Sequence, residues 1–212
     1  MAIIGTNITV SVEKTLSSPV TVTGVTLASE GVVTAPAHTF AHGEVVKFTV
    51  TAGMVELDGQ ACRIKAVTTN GFTLEGLDTT DYSAWSAGTV VNVAAWATLS
   101  NAQTVSMPNP APAKIDITTL IDKSKQYAYG LPDAPDGSFN GLFNPTLEAV
   151  TLIKTATKDN AALAFRIAFA GGEFAIFNAN VSGGSGFDLP ANAAATATIA
   201  FTPVKDVQFY AS

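Results

Sequence analysis

Apolar and polar residues alternate along most of this chain, a period that puts every second side chain on one face of a strand. Ile8, Val10 and Val12 share a face in the segment Thr6–Val12. A turn at Leu16-Ser17-Ser18-Pro19 separates it from a second alternating segment, Val20–Val25. Four short runs follow: Val45–Thr51, Ala61–Val67, Gly71–Glu75 and Thr89–Val93, with turns at His42-Gly43, Asp58-Gly59 and Asn70-Gly71. Asn-Gly is a two-residue hairpin signal. Short strands at this spacing predict a small antiparallel barrel or sandwich between Thr26 and Ala94. Strand character resumes over Thr98–Met107, and Pro108-Asn109-Pro110-Ala111-Pro112 forms a stiff connector.

The second half has a different rhythm. Ile115, Ile117 and Thr119 alternate as a strand would, and a polar, turn-rich stretch from Leu120 to Ser138 then carries no helix or strand pattern. A loop of that length inside a compact domain is either functional or disordered. A further strand has Phe139 and Phe143 flanking Gly141. Asn144-Pro145 then predicts a helix start, with an Asn cap and Pro at the first helical position. The helix runs to Lys158, with Leu147, Val150 and Ile153 forming an apolar stripe beside Ala149, Leu152 and Ala156. Glu148 near its start and Lys154 and Lys158 near its end suit the helix dipole. Strands over Ala162–Ala170 and Glu173–Val181 meet at Gly171-Gly172, and a glycine-rich loop, Ser182–Gly186, leads to a last strand over Ala193–Thr202.

Composition narrows the class. With 212 residues the chain can form one large or two small domains. Only 13% of residues are charged although 47% are hydrophobic, which suits a protein that hides surface in an assembly, because charge is depleted at interface cores. No apolar run approaches the roughly 18 residues of a membrane span, and the start lacks the basic stretch and cleavage site of a signal peptide. The net charge of −6 argues against a basic grip on nucleic acid. The segment 26–94 holds seven acids against three bases, −4 of that total. An acidic, solvated module on a nearly neutral body is the expected picture.

Candidate chemistry is sparse. His38 and His42 have the i, i+4 spacing of a zinc-binding helix, but Pro36 and Gly43 bracket them and Thr39 stands where the catalytic Glu would be. Cys62 is the lone cysteine, so no internal disulfide or zinc cluster is expected, and its alternating surroundings predict a buried small hydrophobe. Gly183-Gly184-Ser185-Gly186 has no following lysine to make a phosphate cradle. Asp116 and Asp122 lack the spacing of a calcium loop, and there is no G-x-S-x-G elbow. Neither an enzyme nor a cofactor or metal site is expected.

The segment from Ile115 to Pro145 carries a resemblance. Asp116-Ile117-Thr118-Thr119-Leu120 opens it, and the pattern of Tyr127, Gly130, Leu131, Asp133, Gly137, Phe139, Gly141, Phe143 and Pro145 closes it. With the order helix, strand, Gly-Gly turn, strand, glycine-rich loop and strand, this resembles the tail tube proteins of long-tailed, non-contractile bacteriophages. The resemblance implies a mainly β fold: an antiparallel sandwich or barrel-type tube domain with one helix, formed by residues 1–25 and 95–212. It implies a major tail tube subunit of the virion, assembled in the host cytoplasm into stacked hexameric rings that conduct DNA without sequence readout. Implied partners are further copies of the chain, a tape-measure protein, and tail terminator and tip proteins, with no membrane. Ring-to-ring contacts are expected at Thr118, Thr119, Leu120, Tyr127, Tyr129, Leu131 and Asp133, and a helix core at Leu147, Val150 and Ile153. Residues 26–94, through His42-Gly43, Gly53-Met54, Leu57-Asp58-Gly59, Phe72-Thr73-Leu74 and Tyr82, resemble the small β-module of the first catalytic-cysteine half-domain of ubiquitin-activating enzymes. That implies an inserted β-barrel that decorates the outside, not activation chemistry. The alternative reading is an adhesin-like virion decoration protein that binds the host surface.

Overall fold

The structure, a computed structural model, describes residues 8–108, 111–121, 123–131 and 135–211. The start of the first expected strand at Thr6, and Asn109-Pro110 of the connector, lie outside the described residues. The chain opens with β1 (Thr9–Leu16), followed by β2 (Val20–Thr21), β3 (Gly24–Val25), β4 (Val32–Thr34), β5 (Val45–Ala52), β6 (Ala61–Thr68), β7 (Gly71–Leu74) and the long β8 (Ala87–Thr98). Then come β9 (Ala102–Ser106), β10 (Lys114–Asp116), β11 (Tyr127–Tyr129), β12 (Gly137–Leu142), the helix α1 (Glu148–Asp159), β13 (Ala162–Ala168), β14 (Phe174–Gly183), β15 (Thr196–Pro203) and β16 (Gln208–Tyr210). The fold is mainly β, with antiparallel pairing throughout and one α-helix.

The small barrel closes on itself. Its strands run β3-β4-β7-β6-β5-β8, and β2 returns to pair with β8. Between β2 and β3 the backbone passes from one edge to the other: Val22 N–H donates to Gly88 O at 3.1 Å and Thr23 N–H to Thr34 O at 2.8 Å. A closed ring leaves no sheet edge in search of a partner. Phe48, Met54, Leu57, Cys62, Ile64, Phe72 and Leu74 fill it. Cys62 is a fully buried packing residue, and burial pushes its thiol up to about 12.

The rest of the sheet curls into a second body. Its order is β8-β1-β13-β14-β15-β12-β9, with β16 paired to β14. The strands at its two ends, β8 and β9, are joined only by Leu99-Ser100-Asn101, so the sheet must fold until its ends meet. Leu99 N–H donates to Val10 O on one side of this corner, and Leu142 N–H to Asn101 O on the other. Ring contacts give the measure. β13 and β12 are three strand spacings apart in the order, about 14 Å in a flat sheet, yet the Phe139 and Phe165 centroids lie 5.3 Å apart. The body is therefore a sandwich: β8, β1, β13 and the start of β14 oppose the end of β14, β15, β12 and β9. Phe139, Phe165, Phe177 and Phe201 are stacked between the layers. α1 adds Ala149, Val150, Ile153 and Ala156 to the same core.

The barrel sits on the outer face of the first layer. Val45 and Ala61 of the barrel pack with Val93, Ala164, Ile176 and Tyr210 in a third buried cluster. Glu13 crosses the junction: both carboxylate oxygens accept from Lys47 Nζ at 3.1 Å, and Oε2 also accepts from Ala164 N–H at 3.0 Å. Lys47 Nζ donates a further bond to Ala162 O. The Tyr210 hydroxyl accepts from Arg63 N–H at 2.9 Å, and the Arg63 guanidinium, ion-paired with Glu75, lies 5.0 Å from the Phe174 and Tyr210 ring centres.

Several local expectations change. The boundaries drawn at Val25 and Ala94 both fall inside this architecture: Val20–Val25 closes the barrel, and β8 continues from barrel to body without a break. Hydrophobic alternation alone does not say which sheet a strand joins. The run Thr98–Met107 is divided by the corner at Leu99–Asn101. The helix begins at Glu148, three residues beyond Pro145. Asn144 Oδ1 is engaged by the N–H and hydroxyl of Thr146, a local turn that takes its side chain away from capping. The helix ends as expected near Asp159, on Asn160 in the left-handed conformation.

Candidate assembly surface

The segment expected to be a patternless loop contains a strand, β11, and pairs it with β10 to make a hairpin separate from the large sheet. Lys114, Ile115 and Asp116 face Tyr129, Ala128 and Tyr127 across it. The ladder continues at both ends, with Gly130 N–H donating to Ala113 O and Ile117 N–H to Gln126 O. Thr118 fixes the turn side: its N–H and hydroxyl both donate to Asp116 Oδ1, which holds that carboxyl below its usual range, and its Oγ1 accepts from Gln126 N–H. Alternation places Ile115 in a strand, as observed, and Ile117 lies just past its end; the short Tyr-Ala-Tyr return carries too few residues to show a period.

Strand pairing gives the arm two faces. Lys114, Asp116, Tyr127 and Tyr129 lie on one, and Ile115, Ile117 and Ala128 on the other. Both are bare: Ile115 and Ile117 are just over half exposed, Tyr127 45% and Tyr129 65%. At the tip Leu120 is fully exposed and Ile121 90%, and Leu131 beyond β11 is also 90% exposed. A two-stranded hairpin is marginal on its own in water, and a patch of large apolar groups on a monomer marks an interaction site.

Of the residues expected at the contact, Thr118, Thr119, Leu120, Tyr127, Tyr129 and Leu131 all lie on this arm or at its ends. Asp133 lies outside the described residues. Ile121 was not singled out in the sequence, although it continues the apolar pair with Leu120. Val150 and Ile153 are buried in the sandwich core, while Leu147 stands just before the helix and is half-buried against the same core. A second exposed apolar group sits in the loop after β14, where Phe187 packs at a tilt against Phe143, ring centres 4.8 Å apart, and Leu189 is exposed.

No cluster of three or more His, Cys, Asp or Glu that could hold a metal exists among the described residues. His38 instead packs against Phe40 and Phe72 in the barrel, with Nδ1 accepting from Phe40 N–H. No helix among the described residues is long and apolar enough to cross a membrane.

A curled β-sandwich with one helix, a closed satellite barrel and a bare projecting hairpin defines an assembly subunit. The phage tail tube protein family matches residues 52–212, the greater part of the chain, and the chain belongs to that family. The match begins at the end of β5, so it includes β6, β7 and β8 of the barrel as well as the sandwich apart from β1. Membership makes the chain a structural component of the phage tail, placed in the virion and self-assembling into a tube with other tail components. No curated protein matches the chain.

Proposed function

We propose that this chain is the major tail tube subunit of a long-tailed, non-contractile phage, and that its rings are hexameric and stack into the conduit for DNA. The observation that carries this reading is the hairpin arm, whose apolar side chains on both faces have no cover in a single copy. Stacking one ring on the next would bury Leu120, Tyr127, Tyr129 and Leu131 against the neighbouring copy. Head-to-tail contacts of this kind are heterologous and propagate into an open filament, so the tube needs an external ruler and a terminator, the roles of a tape-measure protein and the tail terminator and tip proteins. The barrel, with its own closed core and acidic surplus, is the outward-facing decoration, a module similar to the small half-domain of ubiquitin-activating enzymes without its chemistry.

Replacing Tyr127 and Tyr129 together by serine tests the arm. The variant should remain folded by circular dichroism and melt as the wild type does, yet form no tubes in negative-stain microscopy. Normal tubes from the double variant would remove the arm from the assembly contact.

A further inference from the structure

Two Asn-Gly pairs occur in the chain, Asn70-Gly71 and Asn140-Gly141. Such a pair is chemically fragile, because glycine has no side chain to hinder attack of its backbone nitrogen on the asparagine amide. The fold treats the two differently. Asn140 lies within β12 between Thr104 of β9 and Thr198 of β15, and Gly141 is buried. Its Oδ1 accepts from Thr198 Oγ1 at 2.6 Å, and its Nδ2 reaches Ser138 Oγ at 3.5 Å. That amide cannot turn onto Gly141 N without breaking strand pairing on both sides. Asn70 stands instead in the exposed turn between β6 and β7. Its backbone carbonyl accepts from Ala35 N–H at 2.9 Å, but its side chain has no hydrogen-bond partner among the described residues. The glycine beside it is required by the fold, since a Cβ at residue 71 would press on the Val33 carbonyl of β4.

We propose that Asn70 is a self-modification site, where the folded chain ages by deamidation with water as the only co-reactant, and that the product loosens the barrel. Gly71 N loses its proton and attacks Asn70 Cγ; the bond from Cγ to the side-chain nitrogen breaks and ammonia leaves. A five-membered succinimide results, and water opens it in one of two ways. Breaking the ring bond to Cγ leaves aspartate on an unchanged main chain. Breaking the ring bond to the backbone carbonyl carbon leaves isoaspartate, whose main chain runs through Cβ and Cγ and is one atom longer. The longer form falls at a thin part of the barrel. β4 has three residues, held by two-residue β3 on one side and on the other by β7, through Val32–Thr73, Val33–Phe72 and Thr34–Gly71. The Ala35–Asn70 bond extends that seam, and Gly71 faces Thr68 of β6 across its other edge. In isoaspartate the carbonyl that serves Ala35 becomes part of a side carboxylate, and one inserted atom cannot keep both ladders in register. The seam over the buried Val33 and Phe72 side chains therefore opens more often.

Ageing the full-length protein tests both parts. The wild type is held for weeks at mildly alkaline pH, native and in urea, and mapped by mass spectrometry with electron-transfer fragmentation, which separates the two products. In the native protein residue 70 should convert, mostly to isoaspartate, an order of magnitude or more faster than residue 140, whereas in urea both should convert. Hydrogen exchange at the β4 and β7 amides should then rise by an order of magnitude in the aged protein over the fresh one. Freshly made Asn70→Asp carries the new charge without the extra atom and should exchange as fresh wild type does. Asn70→Gln should stay unconverted and keep its exchange rates through ageing. No conversion at residue 70 in the native protein, or equal conversion at the two pairs, would overturn the site. Full conversion with unchanged exchange, or fast exchange in fresh Asn70→Asp, would overturn the loosening of the seam by the longer chain.

Discussion

Lys47→Met should destabilise the protein by about 3 kcal/mol, the low end for breaking one side of a buried ion pair. The low end applies because Lys47 keeps 15% of its side chain accessible while Glu13 keeps 8%. In the wild type the Glu13 carboxylate accepts three hydrogen bonds, two from Lys47 Nζ and one from Ala164 N–H. The methionine removes two of them and leaves a buried charge with a single partner, and it also orphans Ala162 O. For a chain of this size, about 3 kcal/mol corresponds to a fall in melting temperature of roughly 6–12 °C. The second arm of the cycle is Glu13→Gln in the Lys47→Met background. Glutamine keeps an acceptor for Ala164 N–H and carries no charge, so the double variant should recover stability relative to Lys47→Met. Urea denaturation of the four proteins gives the coupling energy. A Lys47→Met protein that melts with the wild type, or a double variant whose loss is the simple sum of the two single ones, would show that this junction is not held by the pair.

Ile153→Ala should cost about 2–5 kcal/mol, because the side chain is fully buried between helix and sandwich, and Leu147→Ala clearly less, because it is half-buried; thermal melts rank the two. Gly141→Ala should cost about 1–3 kcal/mol by overpacking, since a Cβ there would press on the Asn101 carbonyl and stand 2.9 Å from Ala102 Cα at the corner that folds the sheet. Raising the pH should erode stability from about 9 upward. The Cys62 thiol moves from 9.0 to about 12 on folding, so its contribution is complete below 9 and is lost as pH rises through 12. Burial shifts Tyr210 in the same direction. Melting temperatures between pH 8 and 11 should fall less steeply in Cys62→Ala than in the wild type, and parallel slopes would exclude the thiol.

Much of the strand inventory was legible from alternation and turn chemistry. β5, β6 and β7 fall close to their expected ranges because each is flanked by a Gly-containing turn, Asn70-Gly71 above all. β4 and β16 have three residues each, too few to display a period. The corner at Leu99–Asn101 has no glycine or proline to mark it, so the expected run Thr98–Met107 crosses it, and the stretch of β8 beyond Val93 is missed. The position of the arm was visible as an unusual loop, but its hairpin pairing was not. The barrel's closure through Val22 and Thr23, the folding of the sheet and the burial of Glu13 against Lys47 depend on contacts far apart in sequence. None leaves a local signature.

β8 is a single strand of 12 residues, about 40 Å long at the usual rise, hydrogen-bonded to β5 at its first half and to β1 at its second. It acts as a stiff beam shared by two bodies, and bending it would break ladder bonds on both sides. The barrel therefore cannot swivel on a tether. It turns only when its whole subunit turns, like a pointer fixed to a dial. On a tail assembled with the barrel outward, as proposed above, the azimuth of each protrusion would report the rotation of the subunit beneath it, and a small twist running down the tube would be visible from outside as a shift in the rows of pointers.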